Sequence, residues 1–309
     1  MLVLLGPQRF RPNLRAAVGS LAVEGPVAAV TAGWQERESE DTELQDHLAR
    51  EVIDLRLYRR FDEVVADDPE LGQALRDRQD TLRQMQDLYR LRLSYALEAA
   101  RELMRRPGGG RLLSEQRRAA IRAVRTLDRW HLRRIRRTHD EFAARWVPAQ
   151  RPAVARHRED LQRIVERSSA LCIAGGHVAV LLGRLRLFDV VSLLDGRPVF
   201  AWSAGAMAVT DRIVLFHDSP PQGAGDPEVL DAGLALCRQL VALPHARDRL
   251  RLEDPVRVAL FARRFAPATC VVLDSGARLD WDGVGWTAGA DTHRLERRGG
   301  LRPIARSRP

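Results

Sequence analysis

The chain has 309 residues, 45% hydrophobic and 29% charged, enough apolar material for one large domain or two ordinary ones and too much for a disordered chain. No apolar run approaches the roughly 18 residues of a membrane-spanning helix, and the apolar start at Met1 lacks a basic flank, so it reads as a strand and not as a secretion signal. The net charge of +9 is carried entirely by arginine, with no lysine.

In chain order, Leu2–Leu5 is a short apolar strand stopped by Gly6-Pro7. Residues 13–22 suit a helix, and Val27 to Thr31 suits a second buried strand. Residues 36–55 are acidic and helix-like. Strand, helix, strand, helix predicts a parallel α/β sheet, and residues 1–58 form its first part. The pattern then changes. Leu82, Met85, Leu88, Tyr89, Leu93, Ala96, Leu97, Ala100 and Met104 recur every three or four residues, one apolar stripe on a long helix. After Pro107-Gly108-Gly109-Gly110, Ser114 is a candidate N-cap for a second long helix with Ile121, Val124, Leu127, Ile135, Phe142 and Trp146 inward. A third helix fits residues 154–166. Residues 59–167 therefore read as an Arg-rich helical insertion, a hairpin or small bundle.

The α/β pattern resumes over residues 168–290, with strands at 170–174 and 198–202, an apolar run at 236–243, a helix at 256–266, and strands at 269–273 and 277–281. Residues 291–309 read as a basic flexible tail. The fold class expected is α/β, a three-layer αβα core with a mostly parallel sheet, interrupted by an all-helical insertion.

Chemistry concentrates where Val199-Phe-Ala-Trp202 runs into Ser203-Ala-Gly-Ala206. A strand that ends on a serine flanked by small residues is the setting of a nucleophile elbow. Such a serine needs a base and an oxyanion site. Ala204 N–H would follow the nucleophile, and Gly175-Gly176, a turn after a neighbouring strand, is a second source of donors. The candidate base is His245, after Pro244 at a strand end. His177 could line the pocket, and His217 is a rival base beside Asp218. Cys172, Cys237 and Cys270 have no Cys-x-x-Cys and lie in apolar runs, as buried thiols of a cytoplasmic chain do.

The stretches Ala174-Gly-Gly-His-Val-Ala-Val-Leu-Leu182, Val199-Phe-Ala-Trp-Ser-Ala-Gly-Ala206 and Leu243-Pro-His245 resemble the dipeptidase E and cyanophycinase family of serine peptidases, within the class I glutamine amidotransferase-like superfamily. The resemblance covers residues 168–285 well and 1–55 loosely, and leaves 59–167 without a counterpart. It implies a serine hydrolase acting on a small peptide or amide, with Ser203 as nucleophile, His245 as base, Asp218 as the acid, and Gly175, Gly176 and Ala204 as the oxyanion hole. Asp226 and Glu228 remain alternatives for the acid. Ala201 stands where the family has glycine, and His177 where it tends to have asparagine. A cysteine-dependent glutamine amidotransferase is disfavoured, because serine occupies the elbow. Arg247 and Arg249, near His245, could pair with a substrate carboxylate.

No nucleotide or metal motif is present, so no cofactor is expected. The alternative reading is a catalytically inactive chain whose insertion mediates homo-oligomerisation or binds nucleic acid or another anionic partner. Residues 101–167 carry a net charge of +11, and Arg125, Arg129, Arg133, Arg136 and Arg137 could share a helical face. Solvation of that face is the plainer expectation.

Overall fold

The computed structural model describes residues 1–217 and 225–304. The elements are β1 (Leu2–Leu5), α1 (Leu14–Ser20), β2 (Val27–Val30), α2 (Thr42–Leu48), β3 (Val52–Asp54), α3 (Leu57–Asp67), α4 (Pro69–Arg105), α5 (Arg111–Trp146) and α6 (Pro152–Glu166). Next come β4 (Leu171–Ile173), α7 (Val178–Leu187), β5 (Val199–Trp202), α8 (Ala204–Ala208), β6 (Ile213–Leu215), β7 (Glu228–Asp231), β8 (Leu240–Pro244), α9 (Ala246–Arg249) and α10 (Pro255–Phe265). The last strands are β9 (Thr269–Leu273), β10 (Arg278–Trp281), β11 (Trp286–Ala288), β12 (His293–Leu295) and β13 (Leu301–Pro303).

The fold is mixed α/β around a central sheet of order β11-β10-β1-β5-β4-β2-β3. The run from β1 to β3 is parallel, and β10 and β11 add an antiparallel edge. Its parallel strands are short and apolar because both faces are covered. Alternate residues separate cleanly. Leu2, Leu4, Ala28, Val30, Leu171, Ile173, Val199 and Ala201 join the larger core. Val3, Leu5, Val27, Ala29, Cys172, Phe200 and Trp202 join a second one, closed by Leu14 and Val18 of α1 and Leu44 and Leu48 of α2. A second sheet, β13-β12-β9-β8, stands beside the first, with β8 and β9 parallel. The chain crosses between the sheets after β9. A Cβ at Gly6 would lie 1.8 Å from the Asp274 carbonyl oxygen, so only glycine lets the end of β1 meet that crossing.

Helices α4 and α5, 37 and 36 residues long, pair as a hairpin. Asp68 caps α4 by accepting from Leu71 N at 3.0 Å, and Arg151, just before α6, grips the same carboxylate through two bonds of 2.6 Å. Helix α5 begins at Arg111, three residues before Ser114. The extended Gly110 (ψ 155°) already forms its boundary, so Ser114 is not the N-cap.

A buried polar knot docks the hairpin on the α/β body. Arg264 of α10 donates to both oxygens of Asp128 on α5 at 2.7 and 2.8 Å, and to the Tyr89 hydroxyl on α4 at 2.9 Å. Tyr89 donates to Asp128 at 2.8 Å and accepts from Val229 N of β7. His131 stacks on the Tyr89 ring at 3.9 Å, and burial lowers its pKa to about 4. The expected basic face is partly spent in the same way. Arg125 donates to Ala266 O and Arg136 to Asp211 O, while Arg137 pairs with Glu141.

Two further sequence expectations change. Residues 36–55 contain strand β3 between helical pieces, because Val52 and Asp54 face inward beside β2. The segment 291–309 is not simply a flexible tail. Its β12 and β13 pair antiparallel through the Gly299-Gly300 turn, both glycines at positive φ, and β12 pairs with β9. Residues 305–309 lie outside the described residues. No described helix is long and apolar enough to cross a membrane.

Replacing Asp128 by Ala strands a buried guanidinium, and urea denaturation should show a loss of about 3–5 kcal/mol. The double variant Asp128→Leu/Arg264→Met should recover most of it.

A second prediction concerns Asp54, which accepts from Thr31 Oγ1 and from Arg56 N at 2.8 Å. Burial raises its pKa from 3.8 to about 7. The folded state therefore holds a proton that the unfolded state releases, and stability falls as pH rises from 3.8 to about 7. The full loss is on the order of 4 kcal/mol. Asp54→Asn should flatten the dependence of Tm on pH across that window. An unchanged slope would exclude Asp54 as its source.

Candidate active site

Strands β5 and β4 end side by side, with Ala201 opposite Ile173. At the end of β5 the chain must reverse direction sharply into α8. Ser203 makes that reversal at φ 51°, ψ −121°, a conformation that costs a non-glycine residue roughly 1–3 kcal/mol and persists only when its surroundings fix it. A Cβ at Gly205 would lie 2.3 Å from Ile173 O, and one at Gly175 would lie 2.8 Å from the Ser203 Cβ. Gly176, at φ +104°, packs its backbone on Gly33, where a Cβ would meet Gly33 O at 2.2 Å. These contacts leave the serine one place to sit. The backbone hydrogen bonds of the described residues leave the Gly176 and Ala204 amides unspent.

His245 follows β8 in the other sheet and is also left-handed, at φ 55°, ψ 36°. It and Ser203 line one cavity of about 710 Å³, whose wall includes Gly175, Gly176 and Ala204. Trp34, Trp202, Phe216, His217 and Arg249 also line it. No hydrogen bond joins Ser203 to His245 in this structure. The nearest charged partner of the imidazole is Asp248, with Nδ1 3.9 Å from Oδ2 and the carboxylate largely in solvent. Burial, and then the Arg249 guanidinium, holds the His245 pKa below its ordinary value, against the opposite pull of Asp248 and Asp274.

The remaining expected residues divide. His177 is exposed and caps α7, its Nδ1 accepting from Val180 N at 3.3 Å, and it is not part of the cavity wall. Asp218 lies outside the described residues. Glu228 is held by Arg90 of α4 at 2.5 and 2.7 Å, and Asp226 by Arg101. Both alternatives for the acid are thus engaged by α4. Arg249 lines the cavity, whereas Arg247 pairs with Asp274 at 3.2 Å. All three cysteines are buried, and burial pushes each thiol to about 12, so none is a nucleophile.

Asp274 is a site residue that the sequence shows only as the start of the Asp274-Ser-Gly276 break between two strands. The β8–β9 register pairs Pro244 with Leu273, which puts His245 and Asp274 at adjoining strand ends. The Asp274 carboxylate accepts from Arg247 N at 3.2 Å and so secures the start of α9 directly after His245. Burial raises its pKa. A strand-terminal aspartate before Ser-Gly was the available signal, but its partner strand was not apparent from sequence.

Gly176→Ala should destabilise the fold by about 2–3 kcal/mol, because both φ and the contact with Gly33 forbid a side chain. Gly183→Ala, where a Cβ meets nothing within 4 Å, is the matched control and should cost nothing measurable in thermal denaturation.

Neither a family model nor a curated protein matches the sequence. Among solved structures the chain is similar to the crystal structure of a candidate peptidase E protein from Listeria monocytogenes EGD-e, with 15% identity, 45% of this chain and 65% of that chain covered, and a TM-score of 0.29. A likeness of this extent bears on neither the site nor its chemistry.

Proposed function

We propose that the protein is a serine hydrolase of the peptidase type, acting on a small peptide or amide. The observation that carries this reading is the strained Ser203 turn, which opens into the same cavity as His245. Packing fixes the shape of the turn but would be served at least as well by glycine, so a serine held there in strain on a cavity wall is a mark of function.

In this reading Ser203 Oγ attacks the carbonyl carbon while His245 accepts its proton. The amides of Ala204 and the Gly175-Gly176 turn donate to the oxyanion of the tetrahedral intermediate. His245 returns the proton to the leaving amine as the C–N bond breaks, and water then hydrolyses the acyl-enzyme. The Ser203–His245 hydrogen bond forms with substrate in place, as catalytic contacts often tighten on binding. Asp218 is the acid implied by the family resemblance. Asp274 is a positioning residue that holds the turn bearing His245 through Arg247 N.

The test is hydrolysis of a dipeptide panel by the wild type beside Ser203→Ala and His245→Ala. Both variants should lose at least about a thousandfold in kcat/KM while retaining the wild-type Tm. Equal rates in all three proteins, or no turnover by folded wild type, would overturn the reading. The pH profile adds a signed check. A general base must be neutral, so kcat/KM should rise with pH through a midpoint below the ordinary histidine value of 6.5, because burial disfavours the imidazolium. Asp218→Asn and Asp274→Asn separate the two carboxylates. Loss of the acid that orients the imidazole lowers kcat by about 10²–10⁴, whereas loss of a merely structural carboxylate lowers Tm and leaves kcat unchanged.

A further inference from the structure

The arginines of α5 fall into two groups once their partners are known. Arg117 donates to the carbonyls of Leu103 and Arg106, Arg125 to Ala266 O, and Arg136 to Asp211 O. Arg137 pairs with Glu141. By contrast Arg118, Arg122 and Arg133 are exposed and have no hydrogen-bond or ion-pair partner among the described residues, and exposed Arg129 reaches only Thr126 Oγ1 at 3.3 Å. At 3.6 residues per turn these four lie within an arc of about 60°, and at 1.5 Å per residue they extend along about 22 Å of one helix. Between residues 116 and 139 the only acidic residue is Asp128, which is buried and held by Arg264. Nothing on α5 neutralises the stripe along its length.

We infer that this stripe is a docking surface for the phosphate backbone of nucleic acid, bound without regard to base sequence. The sign and line of charge fit a polyanion whose charges are themselves linear. Guanidinium groups suit phosphate through paired donors. A duplex is favoured over an anionic membrane. Apart from Leu112 near the start of α5, the residues beside the stripe on this helix are small, Ala119 and Thr126, and the exposed Leu88, Leu91 and Tyr95 of the hairpin belong to α4, whereas an interfacial helix sets a row of large apolar side chains against its own basic ones. Trp130, the aromatic residue nearest the stripe on this helix, is 39% exposed and engaged by Arg92 and Arg134, whose guanidinium carbons stand 5.2 and 4.8 Å from its ring centroid. Mounting suits the role as well. The knot of Arg264, Asp128 and Tyr89 fixes α5 to the body, so the four side chains are presented on a rigid rod.

The experiment uses the full chain and a fluorescein-labelled DNA duplex of about 20 base pairs, followed by anisotropy. Four phosphate contacts predict a slope of log K against log salt of about −3.6, or a fall of about a hundredfold from 50 to 200 mM salt. The variant Arg118→Gln/Arg122→Gln/Arg129→Gln/Arg133→Gln should abolish that slope and lower affinity at low salt at least tenfold. The control Arg15→Gln/Arg76→Gln/Arg163→Gln/Arg167→Gln removes the same charge from other exposed positions and should leave binding within about twofold. Equal weakening by the two variants would reduce the effect to net charge and overturn the inference, as would no binding by wild type at 50 mM salt. So would stripe-dependent cosedimentation with phosphatidylserine vesicles without duplex binding. Ser203→Ala should bind like wild type, so the outcome stands apart from the hydrolase reading.

Discussion

The close approach of backbones at the ends of β2, β4 and β5 is the constraint on which the rest of the site depends. Gly33, Gly175, Gly176 and Gly205 remove the side chains that would hold these segments apart, and a Cβ at three of them would come within 2.3 Å of a carbonyl oxygen. Tight packing then dictates the conformation of the one residue in the group that does carry a side chain. Ser203 is driven to positive φ because its neighbours leave the chain no other route from β5 into α8. Ser203 lines the cavity as a consequence of how the sheet is packed.

A second feature brings the other half of the site. Ser203 belongs to the central sheet and His245 to the smaller one. The two sheets are stitched where Gly6 meets the Asp274 carbonyl and Gly6 N donates to Ala277 O at 3.0 Å. Asp274 therefore has two tasks. Its backbone closes the seam between sheets, and its carboxylate fixes the turn that carries His245. The cavity exists because the strand ends of both sheets open toward the same side, as they do where ligands bind in open α/β sheets.

Arginine does the joining elsewhere. Arg125, Arg136, Arg158, Arg186, Arg197 and Arg264 each donate to a carbonyl on a different element. A planar group with five donors can satisfy a chain terminus and still reach a carboxylate, which lysine's point charge does less well. A lysine-free chain can thus use its basic residues as internal ties. The α4–α5 hairpin is held this way, and the arginines not so used stand out against those that are.

Much was legible in sequence because it depends on local pattern. Short apolar strands, the 37-residue α4 and the serine among small residues all follow from periodicity and residue size, which act over a few positions. The hidden parts depend on partners far along the chain. Strand β3 and the β12–β13 hairpin carry too little alternation to be seen alone and form because β2 and β9 offer them an edge. Asp226 and Glu228 could serve as acids by spacing alone, yet α4 brings Arg101 and Arg90 to them from more than a hundred residues away. Sequence by itself determined which residues could do chemistry, since that is a property of side chains. Only the tertiary structure decided that Ser203 and His245 share a cavity and that His177 caps a helix outside it. It also decided which arginines remain free, because a charge is available only when packing has left it without a partner.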